Sequence, residues 1–85
     1  MLLTWGEAAW DDYVWWQTQD RTTLRRINVL IKDIVRNGNE GIGKPEALKH
    51  GLAGYWSRRI TEEHRLVYKV LDGEVRIASV RYHYG

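Results

Sequence analysis

The chain has 85 residues, no cysteine and 44% hydrophobic content. This size and composition fit one small domain over residues 1–85 that is stabilised by packing rather than by disulfide bonds. The N-terminal residues lack the basic start and the apolar run of a leader, and no stretch approaches the roughly 18 apolar residues of a membrane span. We therefore expect a cytoplasmic protein with no membrane partner.

Positive charge is concentrated in the last third of the chain. The formal net charge is only +2, yet the sequence pI is about 9.1. Six cations lie between residues 58 and 85: Arg58, Arg59, Arg65, Lys69, Arg76 and Arg81. Such a cluster favours a polyanion such as nucleic acid, although a cluster of this size is equally often a solvated surface.

The first half of the chain predicts a short strand and a helical hairpin. Residues 1–5 are β-prone, and residues 7–18 carry apolar side chains at helical spacing. The predicted core positions of this first helix are Ala9, Tyr13 and Trp16, widened by Trp10 and Val14. A second helix over residues 21–37 has Asp20 as its N-cap. Its predicted core positions are Leu24, Ile27, Ile31 and Ile34.

Residues 55–68 alternate cations with apolar residues and predict two strands. The period of two places Trp56 and Ile60 on one face, whereas Tyr55, Ser57 and Arg59 take the other. A tight connection over residues 61–64 would return the chain antiparallel and bring Arg65 beside Arg59.

Asp72-Gly73 predicts a second turn, between strands at residues 66–71 and 75–82. A three-residue loop over residues 72–74 separates charge from core, whereas a two-residue loop mixes them, so we expect the three-residue loop. It groups Arg65, Arg81 and His83 on one face. It groups Leu66, Tyr68, Val70, Ala78, Val80 and Tyr82 on the other. The predicted fold is α+β, with the helical hairpin on one face of a small, mainly antiparallel sheet.

Residues 37–54 form a predicted loop that is rich in glycine and contains the only proline, Pro45. The glycine spacing around Lys44 does not match a phosphate-binding P-loop, which argues against nucleotide hydrolysis. Three widely spaced histidines without cysteine do not form a recognisable zinc pattern, so we expect no metal and no other cofactor.

Several residues have the chemistry needed to cut RNA without a metal. The 2′-hydroxyl can attack the adjacent phosphorus if a base removes its proton, an acid protonates the leaving oxygen, and cations stabilise the phosphorane. The candidates are Glu46, His83, Arg59, Arg65 and Tyr84. Each also has an ordinary explanation: Glu46 as a surface residue, His83 and Tyr84 as a strand end, and the arginines as partners of Glu62 and Glu63.

Four segments of the sequence resemble the YoeB/Txe-type toxins of bacterial toxin-antitoxin systems, within the wider RelE-like fold. They are Trp10-Asp11-Asp12-Tyr13, Gly43-Lys44-Pro45-Glu46, residues 56–68, and Arg81-Tyr82-His83-Tyr84. The resemblance implies an mRNA endoribonuclease that acts in the ribosomal A site, on the 70S ribosome, and that a cognate antitoxin silences. It also implies a possible homodimer, for which Trp15 on the helical hairpin is a candidate interface residue.

The resemblance also implies individual roles. Glu46 is then the general base, His83 the general acid, Arg65 with Arg59 the stabiliser of the transition state, and Tyr84 a residue that positions substrate. Arginines on the helices, together with Lys44, Lys49 and Lys69, could contact ribosomal RNA. Two other readings remain: a subunit that binds operator DNA only together with its antitoxin, without efficient cleavage, and an adaptor that binds protein only.

Overall fold

A computed structural model describes residues 1–82 and contains two helices and five strands. The elements are β1 (Leu2–Trp5), α1 (Glu7–Gln19), α2 (Arg21–Asn37), β2 (Glu46–Ala47), a 3₁₀ turn (His50–Leu52), β3 (Trp56–Arg59), β4 (Arg65–Leu71) and β5 (Glu74–Ser79). The predicted α+β class is confirmed. The predicted loop at residues 37–54 is more ordered than expected, because it contains β2 and the 3₁₀ turn.

The sheet has the strand order β1-β5-β4-β3-β2. Only β1, which pairs with β5, is parallel to its neighbour, and the other pairs are antiparallel. The helices cover one face of this sheet. The core between the two layers includes Ile27, Leu30 and Ile34 from α2 and Leu66, Tyr68, Val75 and Ile77 from the sheet. No helix among residues 1–82 has the length and apolar character that crossing a membrane requires.

The ends of α2 follow from its flanking residues. The side chain of Asp20 accepts hydrogen bonds from the backbone N–H groups of Thr22 at 3.0 Å and Thr23 at 3.3 Å, which confirms the predicted N-cap. A further bond from the Thr23 hydroxyl is the main cause that lowers the pKa of Asp20. Gly38 ends the helix with a φ of 67°, a conformation that glycine adopts without strain.

The apolar stripe of α1 is narrower than predicted. Ala9 and Trp16 are buried, but Trp10 and Val14 remain 48% and 44% exposed. The hydroxyl of the half-buried Tyr13 donates to Asn28 Oδ1 on α2 at 2.7 Å. The hairpin is therefore joined by Trp16, Ala9 and this polar contact.

The prediction of a three-residue loop between β4 and β5 is wrong. Leu71 pairs with Glu74, so the loop has two residues, Asp72 and Gly73. Further along the ladder, Tyr68 pairs with Ile77 but Val67 pairs with Ser79. Ala78 is thus an extra residue, a β-bulge that restores the predicted alignment beyond it. Because of this shift Val75 and Ile77 are buried in the core, whereas Ala78 is half-buried. Tyr82, beyond the bulge, is exposed rather than part of the predicted core face.

Candidate functional site

The sheet face opposite the helices, here called the open face, brings three of the predicted site residues together. Residues that pair directly in antiparallel strands point to the same face. Glu46 pairs with Ser57, and Arg59 pairs with Arg65. Since Arg59 lies two residues after Ser57 on β3, all four side chains share the open face. This confirms the predicted juxtaposition of Arg59 and Arg65.

Arg59 and Arg65 are two cations directly opposite each other on neighbouring strands, where like charges repel. Among the described residues, the ion pairs are Asp33–Arg58, Glu74–Arg76 and Asp12–Arg81. Glu62 and Glu63 therefore do not neutralise either arginine, contrary to the salt-bridge alternative. Two guanidiniums without a carboxylate form a local positive field that suits a phosphate.

Arg65 is held firmly by the loop that precedes it. Its Nη1 donates to the carbonyl oxygens of Thr61 at 2.7 Å, Glu62 at 3.1 Å and His64 at 3.1 Å. These bonds orient the planar guanidinium and leave its Nη2 edge for another acceptor. The side chain is pre-organised in the manner that binding an anion requires.

Glu46 lies on the edge strand β2, and its side chain is exposed. It pairs with Ser57, and Arg59 stands about 7 Å further along β3, from the rise of a strand. The loop before it is anchored to β3, because the Arg59 N–H donates to the Gly43 carbonyl at 2.7 Å. Gly43, with a φ of 82°, packs so closely that a Cβ there would lie 2.7 Å from the Leu30 side chain.

Lys44 and Lys49, two of the three lysines predicted to contact RNA, flank Glu46 and are exposed. Lys44 adopts a φ of 54°, a left-handed conformation that is uncommon for a residue with a side chain. Lys49 follows β2 and precedes the 3₁₀ turn. Neither lysine forms an ion pair within residues 1–82.

Arg58 is a residue of the structure around the candidate site that sequence reasoning missed. Its side chain is fully buried on the helix-facing side of β3, between Trp56 and Ile60. The period of two along β3 predicts the helix-facing side for residue 58. A charged side chain is usually exposed, however, so the burial of Arg58 was not predicted. A completely buried guanidinium is tolerated only when its donors are satisfied.

All five donors of Arg58 are used. Nη1 donates to Asp33 Oδ2 and, at 3.0 Å, to the Ile42 carbonyl. Nη2 donates to the carbonyls of Gly38 at 2.7 Å and Glu40 at 3.1 Å, and Nε donates to the Tyr68 hydroxyl at 3.2 Å. Four of these acceptors lie at the end of α2 or in the loop that leads to Glu46. Arg58 therefore fixes this loop against β3.

The contacts of Arg58 also shift the pKa values of Asp33 and Tyr68. The hydrogen bond from Arg58 is the main cause that lowers the pKa of Asp33 below its ordinary value of 3.8. Burial raises the pKa of Tyr68 above its ordinary value of 10.0, although the bond from Arg58 opposes this shift. Asp33 is thus ionised and Tyr68 neutral at pH 7, as a hydrogen-bonded ion pair requires.

His64 anchors the end of the described chain. Its Nδ1 accepts a hydrogen bond from the Tyr82 backbone N–H at 2.8 Å, and its ring meets the Trp16 ring edge-on at 4.9 Å. The Trp16 indole N–H donates to the Val80 carbonyl at 2.9 Å. Both contacts direct the backbone just before His83 and Tyr84, two predicted site residues that lie outside the described residues.

Arg81 does not join Arg65 on the open face as predicted. Its guanidinium lies 3.6 Å from the centroid of the Trp15 ring, and its Nη1 is 3.8 Å from Asp12 Oδ1 on α1. The cation–π contact and the ion pair turn the side chain towards the helices. Trp15 is consequently half-buried between Arg81 and Trp16 rather than exposed, and its place in a dimer interface stays a prediction.

The whole architecture is shared with known toxins. The YoeB/ParE toxin from Agrobacterium tumefaciens superposes with a TM-score of 0.94 and 46% identity, covering 99% of this chain and 100% of the other. A strand, a helical hairpin and a mixed five-stranded sheet arranged in this way define a small toxin of the RelE-like fold.

The sequence comparisons identify the family. The model of the YoeB-like toxin of bacterial type II toxin-antitoxin systems matches residues 5–84. Toxin YoeB of Escherichia coli K12 is 60% identical over 84 residues, which are 99% of this chain and 100% of that relative. The chain therefore belongs to the YoeB-like toxin family of bacterial type II toxin-antitoxin systems.

Staphylococcus aureus YoeB is a relative solved both as a dimer and as a YoeB-YefM complex. The dimer structure has a TM-score of 0.93 and 52% identity, covering 99% of this chain and 98% of the other. The complex has a TM-score of 0.91 and 51% identity, covering 99% of each chain.

Proposed function

We propose that this toxin is a ribosome-dependent endoribonuclease that cleaves mRNA in the A site and thereby inhibits translation in the cytoplasm. The observation that supports this most directly is the open face itself. It presents a carboxylate, Glu46, beside two guanidiniums, Arg59 and Arg65, that no carboxylate of the described residues neutralises.

The proposed reaction is a metal-independent transesterification within the RNA strand. Glu46 removes the proton of a ribose 2′-hydroxyl, and the 2′-oxygen attacks the adjacent phosphorus. Arg65 and Arg59 stabilise the additional negative charge of the phosphorane. The bond to the 5′-oxygen breaks, and this oxygen takes a proton from His83. The products are a 2′,3′-cyclic phosphate and a 5′-hydroxyl end, and Tyr84 positions the substrate.

The ribosome supplies what this small chain lacks. Affinity for an mRNA must come mainly from phosphate contacts, and a scaffold that holds the message supplies the geometry. The outer face of α2 supports docking on ribosomal RNA, because four exposed cations follow one stripe of the helix without ion pairs in the described residues. They are Arg21, Arg25, Lys32 and Arg36. Ribosome binding should therefore weaken steeply with salt.

A cognate antitoxin and a second toxin copy are proposed partners. The relative from Staphylococcus aureus is described as a YoeB-YefM complex and as a dimer. An antitoxin segment of acidic character would neutralise the open face and displace its catalytic groups. A dimer would cover exposed apolar side chains at β1 and α1, which include Leu2, Leu3 and Trp10.

Cleavage of a defined mRNA on 70S ribosomes tests the proposal. Purified protein should produce cuts at A-site positions, seen by primer extension, and no cuts without ribosomes. Glu46→Gln and His83→Ala should lose these cuts, whereas Glu7→Gln, an exposed acid on α1, should retain them. Folded wild type that binds ribosomes without cutting would overturn the ribonuclease and favour an operator-binding subunit of the toxin-antitoxin complex.

A further inference from the structure

A concavity that contains none of the proposed catalytic residues opens at another part of the sheet. It has a volume of about 310 Å³ and lies at β1 and β5. Its lining includes Tyr55 and Arg76 together with the small residues Thr4, Gly6 and Ala78. We call it the Tyr55 pocket. A volume of this size is at the lower end of the range for small-molecule sites.

The Tyr55 pocket shares the open face with Glu46. Arg76 pairs with Lys69, and Lys69 lies on β4 two residues after Val67, which pairs with Ser57. Glu46 pairs with Ser57 from the other side. Strand spacing and rise place Lys69 and Arg76 on the order of 10–15 Å from Glu46 along this surface. An RNA strand that is cut at Glu46 can therefore reach the pocket with a flanking nucleotide.

The groups around the pocket combine an aromatic ring with cations. The Lys69 ammonium lies 5.5 Å from the centroid of the Tyr55 ring. Gly54 lies beside the Lys69 side chain, and its φ of 92° is a backbone conformation that favours glycine. Arg76 bonds to Glu74 Oε2 at 2.9 Å, yet its side chain remains 51% exposed. One arginine edge is thus free for a second acceptor.

We propose that the Tyr55 pocket is a subsite for a nucleotide that flanks the scissile one, which rests on the ribonuclease function proposed above. The base stacks against the face of the Tyr55 ring that lines the pocket, which is not the face beneath Lys69. The phosphate meets Arg76, which lines the pocket, and Lys69, which lies at its border. Proteins bind single-stranded RNA by this combination of aromatic platform and cationic groove. Ala78, the extra residue of the bulge, also lines the pocket, where a bulge bends the strand.

Binding of an RNA that cannot be cleaved tests the subsite directly. The probe is a fluorescently labelled hexaribonucleotide with 2′-O-methyl groups throughout, measured by anisotropy. Tyr55→Leu should raise its Kd by between about 5-fold and 150-fold, the range found when a stacking aromatic is removed. Tyr55→Phe, which retains the ring, should bind like the wild type. Val35→Ala, which removes an exposed apolar side chain from α2, far from the pocket, is the control and should have no effect.

The cations provide a second, independent readout. Arg76→Gln and Lys69→Gln should each reduce the slope of log Kd against log salt by about 0.7, the value for one phosphate contact with a single strand. Near-UV circular dichroism verifies that each variant is folded. These surface substitutions keep the proposal testable even if Tyr55→Leu perturbs the sheet.

The outcomes separate this inference from the proposed function. Loss of binding in Tyr55→Leu and in the cation variants supports the subsite, whether or not ribosomal cleavage is observed. Unchanged binding in these variants overturns it, as does a wild type without affinity for the hexamer. A Tyr55→Leu variant that binds RNA normally but loses affinity for an antitoxin would also overturn it and assign the pocket to a protein contact. The ribonuclease proposal fails separately, through absence of cleavage on ribosomes.

Discussion

The carboxylate of Asp33 on α2 pairs with the guanidinium of Arg58, whose side chain is completely buried on β3. The Asp33 Oδ2 atom also accepts the backbone N–H of Ile42 at 3.1 Å, and Oδ1 accepts from the Asn37 side chain at 2.8 Å. One ion pair thus connects the last turns of a helix, the following loop and a strand of the open face. The segment that leads to Glu46 depends on this connection.

The ion pair between Asp33 and Arg58 makes the free energy of unfolding depend on pH in the acidic range. Because the folded pKa of Asp33 is lowered by Arg58, its contribution is complete above the ordinary pKa of 3.8 and is lost as the pH falls through the lower folded value. We expect the free energy of unfolding of the wild type to fall in this acidic window. Asp33→Asn should show a flatter profile there, measured by urea denaturation between about pH 6 and pH 2.5.

Asp72→Asn, at the exposed turn between β4 and β5, is the control for losing a carboxylate. Its acid profile should follow that of the wild type. Equal acid sensitivity in Asp33→Asn and wild type would show that other carboxylates, not this ion pair, carry the effect.

Removal of Arg58 should be far more damaging than removal of a surface arginine. Arg58→Met should lower the free energy of unfolding by about 3–5 kcal/mol, because it leaves the Gly38, Glu40 and Ile42 carbonyls without their donor. Arg25→Met on the exposed side of α2 should change it by less than about 0.5 kcal/mol. Chemical denaturation measures both. A similar loss of unfolding free energy in the two variants would contradict a special role for the buried Arg58 side chain.

Arg58→Lys separates charge from hydrogen-bond geometry. Lysine retains the positive charge but has three donors on one atom rather than a planar fork of five. We expect it to recover only part of the lost stability. Full recovery would mean that the charge on Arg58, and not its bonds to the loop, holds the segment before Glu46.

Local patterns predicted those features whose causes are local. The spacing of Ile27, Ile31 and Ile34 and the N-cap Asp20 define α2 without reference to the rest of the chain. Alternation on β3 and the short connection after it were sufficient to place Arg59 opposite Arg65. These are short-range relationships, so the sequence contains them directly.

The features that were missed depend on distant partners. Arg58 can be buried only because carbonyls 16–20 residues earlier in the chain converge on it. The bulge at Ala78 reconciles a two-residue turn with the packing of Val80, and neither strand alone indicates it. The direction of Arg81 is set by Trp15 and Asp12 on α1. Periodicity along the sequence does not predict such long-range contacts.

Neutralising Arg65 should slow the chemical step more than it weakens binding. Arg65→Gln removes a pre-organised cation from the developing phosphorane, for which losses of about 10²–10³-fold in kcat are typical. Single-turnover cleavage on saturating programmed ribosomes measures this loss. Glu63→Gln, an exposed acid in the same connecting loop, is the matched control and should retain kcat. A rise in KM with unchanged kcat for Arg65→Gln would assign Arg65 to binding alone.

His64 should slow hydrogen exchange of the Tyr82 backbone N–H, because its Nδ1 accepts a hydrogen bond from this group. His64→Ala leaves the Tyr82 N–H without this partner, so its hydrogen-exchange protection should fall by about 3- to 10-fold, as expected for one hydrogen bond. His64→Asn places an amide oxygen near the former Nδ1 and should restore much of the protection. His50→Ala, in the exposed 3₁₀ turn, should leave it unchanged. Equal protection in His64→Ala and wild type would mean that the Trp16 contact with Val80 suffices to hold this end of the sheet.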